Sequence, residues 1–99
     1  MHVCEVNNTY VLVGLKSGPI HAYQDFSYKK TIHGADQMCC SLVVDMFLFI
    51  GGMQKVYMLS TTSLELISSV ATSEWVFSLC QLNFETIMCG QSYGYIDCV

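Results

Sequence analysis

The sequence predicts an all-β chain built from a unit of four short strands that occurs nearly three times. Two observations carry this prediction: apolar runs of strand length alternate with turn residues, and glycines recur at a nearly constant spacing. The clearest example is the segment 38–70, where Gly51-Gly52 and the hydroxyl-rich residues 60–63 interrupt the apolar runs. No run is long enough to predict a helix, whereas each has the length of a strand.

The strands expected in each unit follow from these runs. In the first unit, residues 1–32, they are 1–6, 10–13, 20–23 and 28–32, with a looser segment at 24–28. In the second unit, residues 37–70, they are 38–44, 46–50, 55–60 and 64–70. In the third unit, residues 75–99, they are 75–82, 86–89 and 95–99, one strand fewer. Asparagine, glycine, proline and serine occupy the breaks between the strands, as turn chemistry requires.

The three units align on a glycine that ends the second strand. Gly14, Gly51 and Gly90 are separated by 37 and 39 residues, and Cys4, Ser41 and Cys80 each precede their glycine by 10 residues. A repeat of about 38 residues with four short strands is typical of a β-propeller blade. We therefore expect about two and three-quarter four-stranded antiparallel blades, as a fragment of a larger ring.

Composition agrees with stacked blades and excludes several classes of partner. The chain is 53% hydrophobic and 12% charged, as expected if middle strands are covered on both faces. A net charge of −4 argues against nucleic acid as a partner. The most apolar segment, 38–50, spans 13 residues and contains Asp45, so it predicts no membrane span. With no signal peptide visible, we expect a cytoplasmic protein whose cysteines are reduced.

Catalysis and metal binding find no support in the motifs. Cys39 and Cys40 are adjacent and would point to opposite faces of a strand. Cys80, Cys89 and Cys98 recur every nine residues on neighbouring strands, without the short paired spacing of zinc ligands. No G-x-S-x-G, H-E-x-x-H or P-loop motif occurs. We expect no enzyme activity, no cofactor and no metal.

Three strand–glycine–turn–strand segments, 13–23, 50–59 and 89–99, resemble WD-repeat proteins and their divergent WD40-like propellers. The Trp-Asp pair of that family is replaced by Tyr23-Gln24 and Leu59-Ser60, so the family's buried His–Asp network is not carried over. Segments 11–23 and 48–59 also resemble the terminal propeller of Roco-type kinases, such as the leucine-rich repeat kinases, and propellers of some Rho exchange factors.

These resemblances imply a non-catalytic scaffold that binds other proteins or peptides on its rims and top face. The alternative is a regulatory or dimerisation segment of a larger signalling protein, of the Roco kinase or Rho exchange factor type. The missing blades would come from the remainder of a parent propeller or from a homo-oligomer. Because exposed aromatic side chains at loop ends are common binding hot spots, we expect a protein contact surface at His33, Asp36, Trp75 and Tyr93.

Overall fold

The structure of the chain is a computed structural model that describes residues 2–6, 10–14, 20–32, 38–83, 86–91 and 96–98. Every regular element in these ranges is a β-strand, which confirms the all-β prediction. They contain no helix, and hence none that is long and apolar enough to cross a membrane. The strands are β1 His2–Val6, β2 Tyr10–Gly14, β3 Ile20–Gln24, β4 Ser27–Ile32, β5 Cys40–Val44, β6 Phe47–Gly51, β7 Lys55–Ser60, β8 Leu66–Ala71, β9 Val76–Asn83, β10 Thr86–Gln91 and β11 Ile96–Cys98.

The strands form three antiparallel sheets in chain order. The first sheet has the order β1-β2-β3-β4, the second sheet β5-β6-β7-β8, and the third sheet, within the described residues, β9-β10-β11. Each strand therefore pairs with the strand that precedes or follows it in sequence. Such a meander is what short turns between short apolar runs produce, because an antiparallel partner needs only a tight turn. The prediction of four-stranded antiparallel sheets is confirmed for the first and second sheets.

The turn between β3 and β4 is tighter than the sequence predicts. Asp25 and Phe26 have φ values of 52° and 65°, and the flanking Gln24 and Ser27 are register partners. Two left-handed residues between paired strands are the mark of a type I′ hairpin, which normally selects Asn or Gly. Phenylalanine is not typical of such a turn, which is why the sequence predicted a looser segment at 24–28. The structure instead has a closed hairpin here, with a fully exposed Phe26.

Strand β8 begins two residues later than predicted. Leu64 adopts a left-handed φ of 58°, and its N–H donates to the Ser60 carbonyl at 2.9 Å. The Ser60 hydroxyl also accepts the N–H groups of Thr62 at 3.3 Å and Ser63 at 3.4 Å. The hydroxyl-rich segment thus folds into a compact turn that extends through Leu64. The apolar Leu64 side chain is buried against the first sheet instead of starting the strand.

The first and second sheets pack face to face around the larger of two apolar clusters. Leu48 and Ile50 of β6 point toward the first sheet, whereas Phe49 between them points toward the third sheet. This central strand is covered on both faces, as its continuous apolar sequence predicts. The buried members of the cluster are Val6, Leu12, Ile20, Ala22, Ile32, Met38, Leu48, Ile50, Tyr57, Leu59 and Leu64.

The second and third sheets pack around a smaller cluster on the other face of the second sheet. Its buried members are Cys40, Val56, Val76 and Cys89, with Phe49 and Leu79 packed against them. The first strands of the sheets come together, because β5 contacts β1 on one side and β9 on the other. The three sheets therefore form one stack, with the second sheet in the middle and the initial strands side by side.

A close approach at Gly51 brings the second and third sheets together. A Cβ atom on Gly51 would lie 2.5 Å from the Cys40 sulfur and 2.6 Å from Cγ1 of Val76. Such separations are well inside van der Waals contact, so any larger residue would push the two sheets apart. The glycine that marks the repeat in the sequence is thus required by packing between sheets.

The main apolar cluster can be tested with matched leucine truncations. Leu48 is fully buried between two sheets, and Leu48→Ala should lower the free energy of unfolding by about 2–5 kcal/mol because it leaves a cavity. Leu66→Ala makes the same chemical change at an exposed position of β8 and should cost much less. Urea denaturation followed by circular dichroism measures both, and equal losses would contradict this packing.

Candidate functional site

Of the four residues predicted for protein contact, the structure describes Trp75. His33, Asp36 and Tyr93 lie outside the described residues. Trp75 is the last residue of the connection between β8 and β9, which links the outer strand of the second sheet to the first strand of the third sheet. Trp75 was predicted as a contact residue because it lies at a connection between strands, and the structure places it there.

Backbone hydrogen bonds fix this connection to the turn between β6 and β7. The Thr72 N–H donates to the Gln54 carbonyl at 2.9 Å, and the Val76 N–H donates to the Gly52 carbonyl at 3.0 Å. The Gln54 side-chain amide also donates to the Ser73 carbonyl at 3.4 Å. The chain is thus held to the second sheet on both sides of Trp75.

A buried glutamine fixes the same connection to the third sheet. The side-chain oxygen of Gln91, a buried residue at the end of β10, accepts the Glu74 N–H at 2.8 Å. The Thr72 hydroxyl donates to the Glu74 carbonyl at 2.8 Å. Both backbone groups of Glu74 are therefore satisfied by side chains, and the residue before Trp75 has a defined position.

Trp75 forms an exposed aromatic pair with Phe77. The ring centroids are 6.3 Å apart with an interplanar angle of 31°, and the two side chains are 37% and 56% exposed. Phe77 lies at a bulge, because Val76 pairs with Gln91 while Ser78 pairs with Gly90. We call Trp75 and Phe77 the aromatic pair. It offers a preorganised apolar surface of the kind that protein interfaces use as anchors.

Phe77 was not predicted as a contact residue because it lies within the apolar run 75–82, which predicts an ordinary strand. The available signal was the i, i+2 spacing from Trp75, which places two aromatic side chains on the same side of an extended chain. The bulge at Phe77 and the Glu74–Gln91 hydrogen bond leave no recognisable sequence pattern.

The described cysteine side chains are dispersed over the second and third sheets, and burial makes Cys40 a weak nucleophile. Burial raises the pKa of the Cys40 thiol to about 12, and its sulfur lies 3.6 Å from the Val76 carbonyl oxygen, to which it donates. Cys80 is exposed, whereas Cys89 on the neighbouring strand is buried on the opposite face of the third sheet. Among side chains that the structure describes, no three histidine, cysteine, aspartate or glutamate groups cluster as metal ligands do.

A second aromatic group occupies the outward face of the first sheet, the face turned away from the second sheet. His21 Nδ1 lies 3.1 Å from the Thr31 hydroxyl, which also pairs with the Tyr28 hydroxyl at 2.8 Å. The Tyr28 ring makes edge contacts with His21 and Tyr23 at centroid distances of 5.8 and 6.1 Å. These contacts engage His21 in packing, and no thiol or carboxylate is found among them.

No family model matches the chain, and no curated protein has significant sequence similarity to it.

The raised pKa of Cys40 predicts a dependence of stability on pH. Because the folded thiol ionises near pH 12 and a free thiol near 9, the unfolded chain releases a proton that the folded chain retains between these values. The free energy of unfolding should therefore fall as pH rises above 9, and Cys40→Ala should reduce that slope. Denaturation at several pH values measures it. Val43→Ala on the same strand is non-titrating and should keep the wild-type slope, and an unchanged slope in Cys40→Ala would contradict the assignment.

Proposed function

We propose that this chain is a non-catalytic protein-interaction scaffold built from consecutive WD40-like propeller blades. The observation that carries the proposal is the stacking of three antiparallel meanders in chain order with their first strands side by side. This is the arrangement in which neighbouring blades surround a propeller axis, with the first strand of each blade innermost. In this proposal the stack is part of a larger ring.

The aromatic pair is the proposed contact site for a protein or peptide. The backbone of the residues next to Trp75 is hydrogen-bonded to the second sheet at Val76 and to the third sheet at Glu74, so the chain at this site loses little conformational entropy when a partner binds. Tryptophan and phenylalanine bury large apolar areas, and tryptophan is enriched among residues that dominate binding energy. The neighbouring Gln54, Ser73 and Glu74 supply polar groups around the apolar centre, as the rim of an interface requires.

Alanine substitution at the aromatic pair tests this function. Peptides selected from a random display library on the immobilised chain should bind at the pair, so Trp75→Ala and Phe77→Ala should each weaken the best peptide by about tenfold or more. Phe26→Ala removes a fully exposed aromatic from the β3–β4 turn and serves as the matched control, with wild-type affinity expected. Isothermal titration calorimetry measures the affinities.

Circular dichroism must show that the variants fold as the wild type does. A library that yields no binding peptide, or peptides whose affinity is the same for wild type and Trp75→Ala, would contradict the proposal.

A further inference from the structure

The glycines that mark the repeat all face in the same direction along the stack. A Cβ atom on Gly14 would lie 2.8 Å from Cβ of Met38, which leads into the first strand of the second sheet. A Cβ atom on Gly51 would lie 2.6 Å from Cγ1 of Val76, which begins the first strand of the third sheet. In both junctions, an apolar residue at the start of the next sheet sits on the glycine of the preceding sheet. We call this side of each sheet its forward face.

The forward face of the third sheet has the same glycine but no following sheet among the described residues. The atoms that a Cβ on Gly90 would meet belong to Ser78, its partner in the same sheet. Cys80 lies on this face of β9, since its partner Met88 is two residues from Gly90, and the 65% exposed Ile96 of β11 pairs with Gly90. The third sheet thus presents an open surface of the kind that the first and second sheets use to hold a neighbour.

The opposite, rear face is open on the first sheet. Positions three and one residues before the glycine are Leu48 and Ile50 in the second sheet and Ile87 and Cys89 in the third, and all four are buried. The equivalent positions of the first sheet are Val11, which is 42% exposed, and the partly exposed Val13. The positions that are buried in the second and third sheets are therefore occupied in the first sheet by apolar side chains that remain accessible to solvent.

We propose that a second copy of this chain packs its first sheet onto the third sheet of the first copy, head to tail. This inference rests on the blade stacking of the proposed function. The occupant is a second copy because each chain carries both halves of a junction that it already forms twice internally: within the described residues, no sheet covers the forward face of the third sheet or the rear face of the first. Glu5, the register partner of Val11, brings a carboxylate to the rear face, and its desolvation is a cost that the apolar contact has to exceed. Such a heterologous contact joins unlike surfaces of identical chains.

Two single-face variants test the head-to-tail geometry. Val11→Lys places a charge on the rear face, beside Glu5, and Cys80→Lys places one on the forward face of the third sheet. Both positions are solvent-exposed in the single chain, so the fold should persist. Light scattering behind a size-exclusion column should give several chain masses for wild type and one chain mass for each variant. An equal mixture of the two variants should give the mass of two chains, because one intact face remains on each.

Phe26→Lys is the matched control, since it adds the same charge on a turn and should keep the wild-type mass. A monomeric wild type overturns the proposal, as does a mixture that stays monomeric. If the contact joined two forward faces or two rear faces, one of the two variants would keep the wild-type mass, and this result would also overturn the head-to-tail proposal. So does aggregation that persists in both variants. Peptide binding by the monomeric Val11→Lys chain reports separately on the scaffold function, so the two proposals can fail independently.

Discussion

The stack depends on how closely two sheets approach at a single backbone position. At Gly51 the absence of a side chain leaves room for Cys40 and Val76 to fill the space between the second and third sheets. Gly14 has the same relation to Met38 at the junction of the first and second sheets. Close packing of interiors means that a methyl group here cannot be absorbed by small shifts. These two contacts set how closely the three sheets approach one another.

Burial within the stack is greatest in β6 and β7 of the second sheet, whereas β8 and most of β9 are exposed. The second sheet is covered on both faces at β6, where Ile50 and Phe49 reach opposite neighbours. Its outer strand β8 is exposed along its whole length. Burial in the middle of the stack accounts for the low charge of the sequence. The outer faces of the first and third sheets nevertheless carry apolar residues at the surface, such as Val3 and Ile96.

The strands were predictable because apolar runs and turn residues alternate strictly, and the all-β class followed directly. The errors have local physical causes. Phe26 has a left-handed backbone conformation in a turn, which phenylalanine does not predict. Leu64 fits the apolar pattern of a strand but belongs to the turn that precedes β8. For the site, Trp75 was identifiable from its place at a connection. Phe77 was not, because it falls inside an apolar run of strand length in which nothing marks it as exposed. The Glu74–Gln91 hydrogen bond joins residues far apart in sequence, so no local pattern encodes it.

Pairing between successive strands has a consequence for how the chain acquires its structure. In all three sheets, each strand needs only its immediate neighbour in sequence, so within a sheet the loops to be closed are short and their entropic cost is low. Folding rates rise as contacts become more local. A chain emerging from the ribosome can therefore complete the first sheet before the second has been synthesised, and each finished sheet then serves as the template on which the next one condenses.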